Sequence, residues 1–367
     1  DVVAITGCEA WRTRQSARRH GVELPWTPAG DDDAPARVAG SELEMSHPAE
    51  LARGIAMPVQ VYPIFETALR AAAGRSPSAQ LTHIAELWAG FSRVAATNPH
   101  AAVPRAFSAE EIATPTDDNR WIGYPYTKWL VSNDRVDQAA AVVLCSVERA
   151  EALGVPRDRW VFPHAGTDTA EPTVSLRWDL HRSPAMRVGG SRCLELAGVG
   201  VDDLAHLDVY SCFPSAVQIA ADEIGFGLDR QLTVTGGLTF AGGPWNDYVT
   251  HSIATMVGVL RDDAGSLGFV TANGGLISKH AFGVYSTEPS AEGFRHDSPQ
   301  ALVDTAPHRD VVGDHAGPAT IEAYTVVHSR DNEPERALVA LLTDDGHRTW
   351  ATSDDADLMA LLVAEEG

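Results

Sequence analysis

The chain has 367 residues, 44% of them hydrophobic, and a formal charge of −22, with a pI near 4.9. That length accommodates two or three domains with substantial cores, and so acidic a balance excludes a basic nucleic-acid-binding face or an anionic-membrane surface. Four cysteines, Cys8, Cys145, Cys193 and Cys212, are scattered without a CxxC pair, so neither a metal site nor a disulfide framework is expected, and a reducing cytoplasm is the expected compartment.

The chain opens at Asp1 directly on the strand-like run DVVAITG, with no signal peptide and no apolar run of membrane-spanning length; it is expected to be a fragment. Val2 to Ile5 reads as a buried parallel strand running into Thr6-Gly7-Cys8-Glu9. Arg12 to His20, RTRQSARRH, is a basic island that either holds phosphates or forms a solvated face. Lysine occurs only at Lys128 and Lys279, and arginine favours planar, bidentate recognition of phosphate or carboxylate. Up to about Asn133 Pro-rich loops alternate with helices, among which Leu81, Ile84, Ala85, Trp88 and Ala95 share one helical face. Val136 to Ser146 and Trp160 to His164 are expected core strands separated by the helix VERAEALG. A helix over Arg187 to Gly198 ending on a glycine cap, a strand over Leu207 to Ser211 and a helix over Pro214 to Ile224 follow. This alternation predicts an α/β layered core with mostly parallel strands.

Gly236 to His251, GGLTFAGGPWNDYVTH, packs two glycine pairs and a proline ahead of a helix. Its apolar positions Val249, Ile253, Met256, Val257 and Leu260 fall on one face, and Asn246 or Asp247 is placed to cap it. Such a shaped loop either presents backbone amides to an anion or carbonyl oxygen or is a plain connector. Leu267 to Ala272 is then a strand entering Asn273-Gly274-Gly275, and Ala281 to Tyr285 is its return. Thr287 to Pro318 is polar and reads as a linker. Glu322 to His328, Arg336 to Leu342 and His347 to Thr352 form a small β domain with turns at Asp331-Asn332 and Asp344-Asp345-Gly346.

The runs DVVAITGCEA, VDQAAAVVLCS, LDVYSCFPSAVQ, GGLTFAGGP and TANGGLISKHAFGVYS, in that order, resemble the thiolase superfamily. The first resembles the strand before a GGMES-like turn, the second a DGAAAVVL strand. Gly236 to Pro244 resembles a Gly-Gly-x4-Gly-His-Pro loop, and Asn273 to Gly275 a Cys-x-Gly loop. The NGGLISKHAFGVYS run and the appended β domain resemble more narrowly the thiolase-like type 1 proteins, labelled acetyl-CoA acetyltransferases, which add an OB-like C-terminal domain. The resemblance implies a thiolase-like layered fold of two βαβαβαββ repeats, the first incomplete, plus a small C-terminal β domain. Its expected boundaries are 1–160, with a helical loop region over about 12–133, then 161–290, a linker over 291–317, and a truncated OB-like domain over 318–367.

Thiolase chemistry needs a nucleophilic cysteine, a histidine that activates it and a second cysteine as acid and base. By the resemblance the nucleophile lies upstream of Asp1, Gly243 occupies the histidine position, and Asn273 falls at or beside the second cysteine, where it has no proton to give near neutral pH. Tyr210-Ser211-Cys212-Phe213 replaces the Asn-Glu-Ala-Phe or His-Asp-Cys-Phe motif. His280, with Tyr210 and Lys279, is a candidate source of acid–base chemistry; alternatively it is a polar loop residue. His251 is expected to make a structural hydrogen bond one turn after Asp247, and Cys8 and Cys212 to be core packing.

Two functions from different classes follow. One is an acyl-CoA acyltransferase of the acetyl-CoA acetyltransferase type with altered catalytic residues, for which His280, Tyr210 and Asn273 are the catalytic candidates. The other is a catalytically silent thiolase-fold protein that binds CoA, an acyl chain or a partner protein. No covalently bound cofactor is expected; CoA or acyl-CoA is the expected ligand, with Arg12, Arg14, Gly242 and Gly243 as candidate contacts. A homodimer or a partner protein is compatible with either.

Overall fold

The structure, a computed structural model, describes residues 1–27, 30, 33–35, 37–38 and 42–364. Residues 28, 29, 31, 32, 36 and 39–41 of the expected helical loop region, and 365–367 of the expected C-terminal domain, lie outside the described residues. In chain order the first elements are β1 (Val2–Ala10), α1 (Trp11–His20), α2 (Pro48–Leu51), α3 (Pro58–Ala72), α4 (Pro77–Ala95), α5 (Ala109–Ala113), β2 (Trp121–Gly123), β3 (Tyr126–Thr127) and β4 (Asp137–Cys145). There follow α6 (Val147–Ala152), β5 (Phe162–Ala170), α7 (Pro184–Ala197), β6 (Leu204–Asp208), α8 (Pro214–Ile224), α9 (Gly237–Phe240), α10 (Tyr248–Asp262), β7 (Leu267–Gly274) and β8 (Lys279–Ser286). The last are β9 (Arg295–Asp297), α11 (Gln300–Val303), β10 (Ala319–His328), β11 (Pro334–Thr343), β12 (Arg348–Ser353) and α12 (Ala356–Val363).

The central sheet has the order β6-β7-β8-β5-β9. Side chains alternate along β7, and this fixes what covers each face. Val270 packs with Met256 and Leu260 of α10, whereas its neighbour Phe269 joins the main core, stacked with Phe282 at 6.1 Å between ring centroids. Helix α7 lies on that second side, where Gly189 leaves room for the Phe282 ring and Thr169. Helix α10 also contacts β4, so it is a layer between the sheet and the β1–β4 ribbon.

Strand direction departs from expectation. Among the strands of the described residues only β6/β7 and β5/β9 pair parallel, while β7/β8 and β5/β8 are antiparallel. Strand β1 pairs antiparallel with β4, from Val2↔Cys145 to Ala10↔Asp137. Neither is the buried core strand expected: Val2, Val3, Ile5, Val143 and Leu144 are all exposed, because the described residues cover only part of this ribbon. An apolar run reads the same whether or not its faces are covered. Cys8, on the same ribbon, is exposed and is not core packing.

The segment expected as a linker over 291–317 carries structure. Strand β9 extends the central sheet beside β5, and the Gln300 side chain donates to Ala170 O at 3.0 Å and accepts from Ala170 N at 2.7 Å. The three expected C-terminal strands form, but their sheet runs β12-β11-β10-β2-β3. Residues near 121–127 therefore complete it, through Val327↔Gly123.

A buried carboxylate joins the N-terminal helices to the core. Glu66 on α3 is 0% exposed and accepts from Gln80 of α4, from Gln218 of α8 at 2.8 Å and from the Tyr126 hydroxyl. Burial pushes its carboxyl up from the usual range, opposed by these donors. Removing the acceptor leaves several buried donors unpaired, the costly direction of hydrogen-bond loss. Glu66→Ala should therefore lower unfolding free energy in urea by on the order of 3 kcal/mol, whereas the exposed Glu86→Ala should change it by less than about 0.5 kcal/mol.

Candidate functional site

Two loops build the site, and each is held by a buried charged side chain. The first is the glycine-rich stretch ahead of α10. Asp208, at the end of β6 and 0% exposed, accepts six hydrogen bonds. One oxygen takes the Thr233 hydroxyl, Val234 N, Thr235 N and the Thr235 hydroxyl at 3.0–3.1 Å. The other takes the Tyr248 hydroxyl at 3.0 Å and the Ser252 hydroxyl at 2.9 Å. The loop is thus clamped before and after its glycines. Gly236 has φ +100, and a Cβ there would lie 2.5 Å from Ala95 N; at Gly242, φ +123, it would strike the Gln138 side chain. Only glycine fits both. Trp245 also adopts a left-handed backbone, φ 46, and its side chain is 48% exposed. Asp247 precedes α10 without a side-chain capping bond; its carboxylate instead lies 3.0 Å from His251 Nε2.

The second loop is the hairpin between β7 and β8. Ile277 has φ 57, a strained position for a β-branched residue that persists only where its surroundings enforce it. Here Arg177, 4% exposed, donates to Leu276 O at 2.7 Å and Ile277 O at 2.6 Å. From α3, the Tyr62 hydroxyl donates to Gly275 O at 3.2 Å and accepts from Ile277 N at 3.3 Å. Residues 132–133 connect the two loops: Ser132 N donates to Cys212 O at 3.0 Å, Asn133 N to Leu238 O at 3.0 Å, and Gly243 N to Asn133 O at 2.8 Å.

Several of the candidate residues converge on the hairpin. Asn273 and His280 face each other in the β7/β8 register. Asn273 Nδ2 lies 3.2 Å from the Tyr62 hydroxyl and 3.8 Å from Cys212 Sγ, and Tyr62 stacks on Phe213 at 4.3 Å. Tyr210 sets its ring edge-on against Tyr248 at 5.3 Å. Lys279 is excluded from this group: alternation along β8 leaves it exposed beside buried His280. Burial pushes the Cys212 thiol up to about 12 and holds the Tyr62 and Tyr210 phenols above their usual range. Burial, with the Arg177 guanidinium adding to it, pushes His280 down to about 3. Each of these groups is therefore locked in its neutral form near pH 7. Asn273 Oδ1 and His280 Nδ1 are both buried without a hydrogen-bond partner.

The other expected contacts lie apart from the hairpin. Gly242 lines an open groove of about 860 Å³ with Tyr248, His251 and Ala139 to Ala141. Arg12 and Arg14 sit on exposed α1, tied to this region by Arg12 N donating to Val136 O at 3.2 Å. A second cavity, about 420 Å³, borders Arg177 and Trp178; neither it nor the groove is lined by Tyr210, Cys212, Asn273 or His280. Among the described residues no group of three or more His, Cys, Asp or Glu is placed to hold a metal ion, and no helix is long and apolar enough to cross a membrane. Tyr62 and Arg177 escape a reading of the sequence, since neither belongs to a motif and both act at long range.

Comparison with known proteins then bears on the whole chain. Residues 299–367 match the family model of the thiolase-like protein type 1 additional C-terminal domain. A monomeric SCP2-thiolase-like protein type 1 from Mycobacterium smegmatis is similar at 35% identity with a TM-score of 0.83, over 99% of this chain and 73% of that one. The dimeric peroxisomal thiolase of Saccharomyces cerevisiae is similar in fold, at 16% identity and a TM-score of 0.51, over 78% of this chain and 70% of that one. A comparison with curated proteins returns no match.

The depressed His280 has a consequence for acid stability. Between its ordinary value of 6.5 and about 3 the unfolded chain binds a proton that the native site does not, so stability falls as pH drops through that window. The loss is about 1.4 kcal/mol per pH unit once well below 6.5. In urea titrations between pH 7 and 5, His280→Asn should lose less stability than the parent by on the order of 2 kcal/mol; parallel curves would contradict a neutral buried imidazole.

Proposed function

Since this chain belongs to the thiolase-like protein type 1 family, with that family's additional C-terminal domain, we propose that it binds an acyl-CoA-type thioester without carrying out Claisen or thiolytic chemistry. The reading is carried by the hairpin site, which has hydrogen-bonding capacity to spare and no acid–base capacity near neutral pH. Asn273 Oδ1 and His280 Nδ1 are buried and unpaired, and such atoms in a native protein call for a partner such as water or a ligand polar group. In contrast, Cys212 keeps its proton and His280 does not take one. A general acid or base needs a pKa near the working pH, and a thiol nucleophile must first become a thiolate.

The neighbouring loop supports the same conclusion. Gly243 has no side chain to accept a proton, yet its backbone N–H and its fit against Ser132 and Asn133 keep the loop's form. The two unpaired atoms are both acceptors, since His280 Nε2 faces Ile277 O, so a site of this kind can take N–H or O–H groups of the ligand's arm and hold its acyl chain by shape while leaving the thioester bond intact. Acyl transfer is the weaker alternative, because it needs His280 to act against its burial.

Acetyl-CoA and acetoacetyl-CoA discriminate between them. The protein should convert neither above the uncatalysed rate, while a ligand at one hundred times its dissociation constant should add about 2.7 kcal/mol of stability. Asn273→Ala should reduce that stabilisation by an amount typical of one buried hydrogen bond, about 1 kcal/mol. Turnover that disappears in His280→Ala would instead establish an enzyme.

A further inference from the structure

A short segment of the core is gripped by the added domain at every carbonyl. Residues 174–178 form a 3₁₀ turn and its exit, and the last carbonyls of a helical turn have no partner within it. Arg348, 0% exposed at the start of β12, donates through Nη1 to Val174 O and Ser175 O at 3.0 Å and to Arg177 O, and through Nη2 to Trp178 O at 3.3 Å. Arg309 N donates to Leu176 O at 2.9 Å. Its Nε donates to Trp178 O at 2.6 Å, with the guanidinium 4.5 Å over the Trp178 ring. Trp350 Nε1 donates to Ser175 Oγ at 2.8 Å. Glu322 of β10 fixes the Arg348 fork from the other side, accepting from Nε at 2.8 Å and from Nη2 at 2.7 Å. Arg309, Glu322, Arg348 and Trp350 all fall within 299–367, the stretch that matches the additional-domain family model.

The same segment supplies Arg177, whose side chain leaves it for the hairpin and donates to Leu276 O and Ile277 O. Arg348 thus holds the backbone at Arg177, and the Arg177 guanidinium holds the turn. Adhesion alone does not account for this. Ala323, Leu338, Ala340 and Trp350 already join the added domain to the main core by apolar packing, and a second buried guanidinium beside Arg177 is costly. Burial pulls Arg177 below its usual range, and Arg348, of like charge, acts in the same direction. What the planar fork supplies is position, because it meets several acceptors at once in a fixed geometry. We propose that Arg348, assisted by Arg309, is a positioning residue of the hairpin site: the added domain sets the backbone at Arg177, and through it the strained turn at Ile277 that presents Asn273 and His280. The domain is then a working part of that site and not a separate module.

The clamp is present whether or not the hairpin holds a ligand, so the free full chain serves for the test. Arg348→Lys keeps a positive charge opposite Glu322, but an ammonium lacks the planar fork that serves the carbonyls. Amide hydrogen exchange should then be about tenfold faster or more at Leu276, Ile277 and Ser278, while Val234 and Thr235, which donate to Asp208, exchange as in the parent. The His280 ring resonances should shift as well, since its Nε2 lies 3.3 Å from Ile277 O. Arg309→Ala, at a half-buried position, removes the bond to Trp178 with less risk to folding and should accelerate the same three amides severalfold. Val339→Ala is the control. It loosens the small core shared by β10, β11 and α12 and removes none of the bonds to 174–178, so it should lower the urea midpoint and leave hairpin exchange unchanged. Unchanged hairpin exchange in both arginine variants overturns the positioning role. So does equal acceleration in Val339→Ala, which would make the domain a cover that protects the hairpin only by staying folded.

Discussion

Asp208 is the constraint on which the candidate site depends. Burying a carboxylate costs several kcal/mol unless its lone pairs are filled, and this one is filled by six donors from two segments. Thr233 to Thr235 enter the glycine loop and Tyr248 and Ser252 leave it, so one side chain at the end of β6 closes the loop at both ends. Burial still pushes the carboxyl up. The loop between the clamps then needs only glycines where side chains collide, at Gly236 and Gly242. Position 243 enters this scheme through its backbone N–H to Asn133 O and its close fit against Ser132 and Asn133, not through a side chain.

The hairpin follows the same plan with the opposite charge. Arg177 is buried among backbone carbonyls of the turn it supports, and Tyr62 adds bonds to Gly275 and Ile277. Strain at Ile277, on the order of 1–3 kcal/mol, is held by groups that are not candidates for chemistry. The loops are therefore shaped by residues other than the candidates Asn273 and His280 that they present.

Much of this was readable from the chain. The helix Pro214–Ile224 with its Gly225 cap, the face Ile84-Ala85-Trp88-Ala95, and the three C-terminal strands follow from periodicity and punctuation. The glycine loop and the Asn273 hairpin were recognisable as shaped loops because loop geometry leaves a local signature in Gly and Pro. Strand direction was not readable: β1 and β8 have the same apolar character whether their partners run parallel or antiparallel. Nor were Tyr62, Glu66 and Arg177, whose partners lie far away in sequence. Local pattern encodes an element, but a buried polar network is encoded only in the pairing of distant segments. Lys279 was misplaced for a related reason, since adjacency to His280 in sequence means opposite faces in a strand.

Burial links the stability of the hairpin to the neutrality of its titratable side chains. The same exclusion of water that strengthens the Arg177 and Tyr62 bonds lowers His280 and raises Cys212. A site cannot become drier, and so better fixed, without driving its uncompensated acids and bases further from neutrality. Only an opposite charge beside the base, or admitted solvent, counters that shift. Here the charge nearest His280 in effect is Arg177, which has the same sign as an imidazolium and acts in the wrong direction. With Arg177 holding the turn, the hairpin keeps its shape under conditions in which His280 stays neutral.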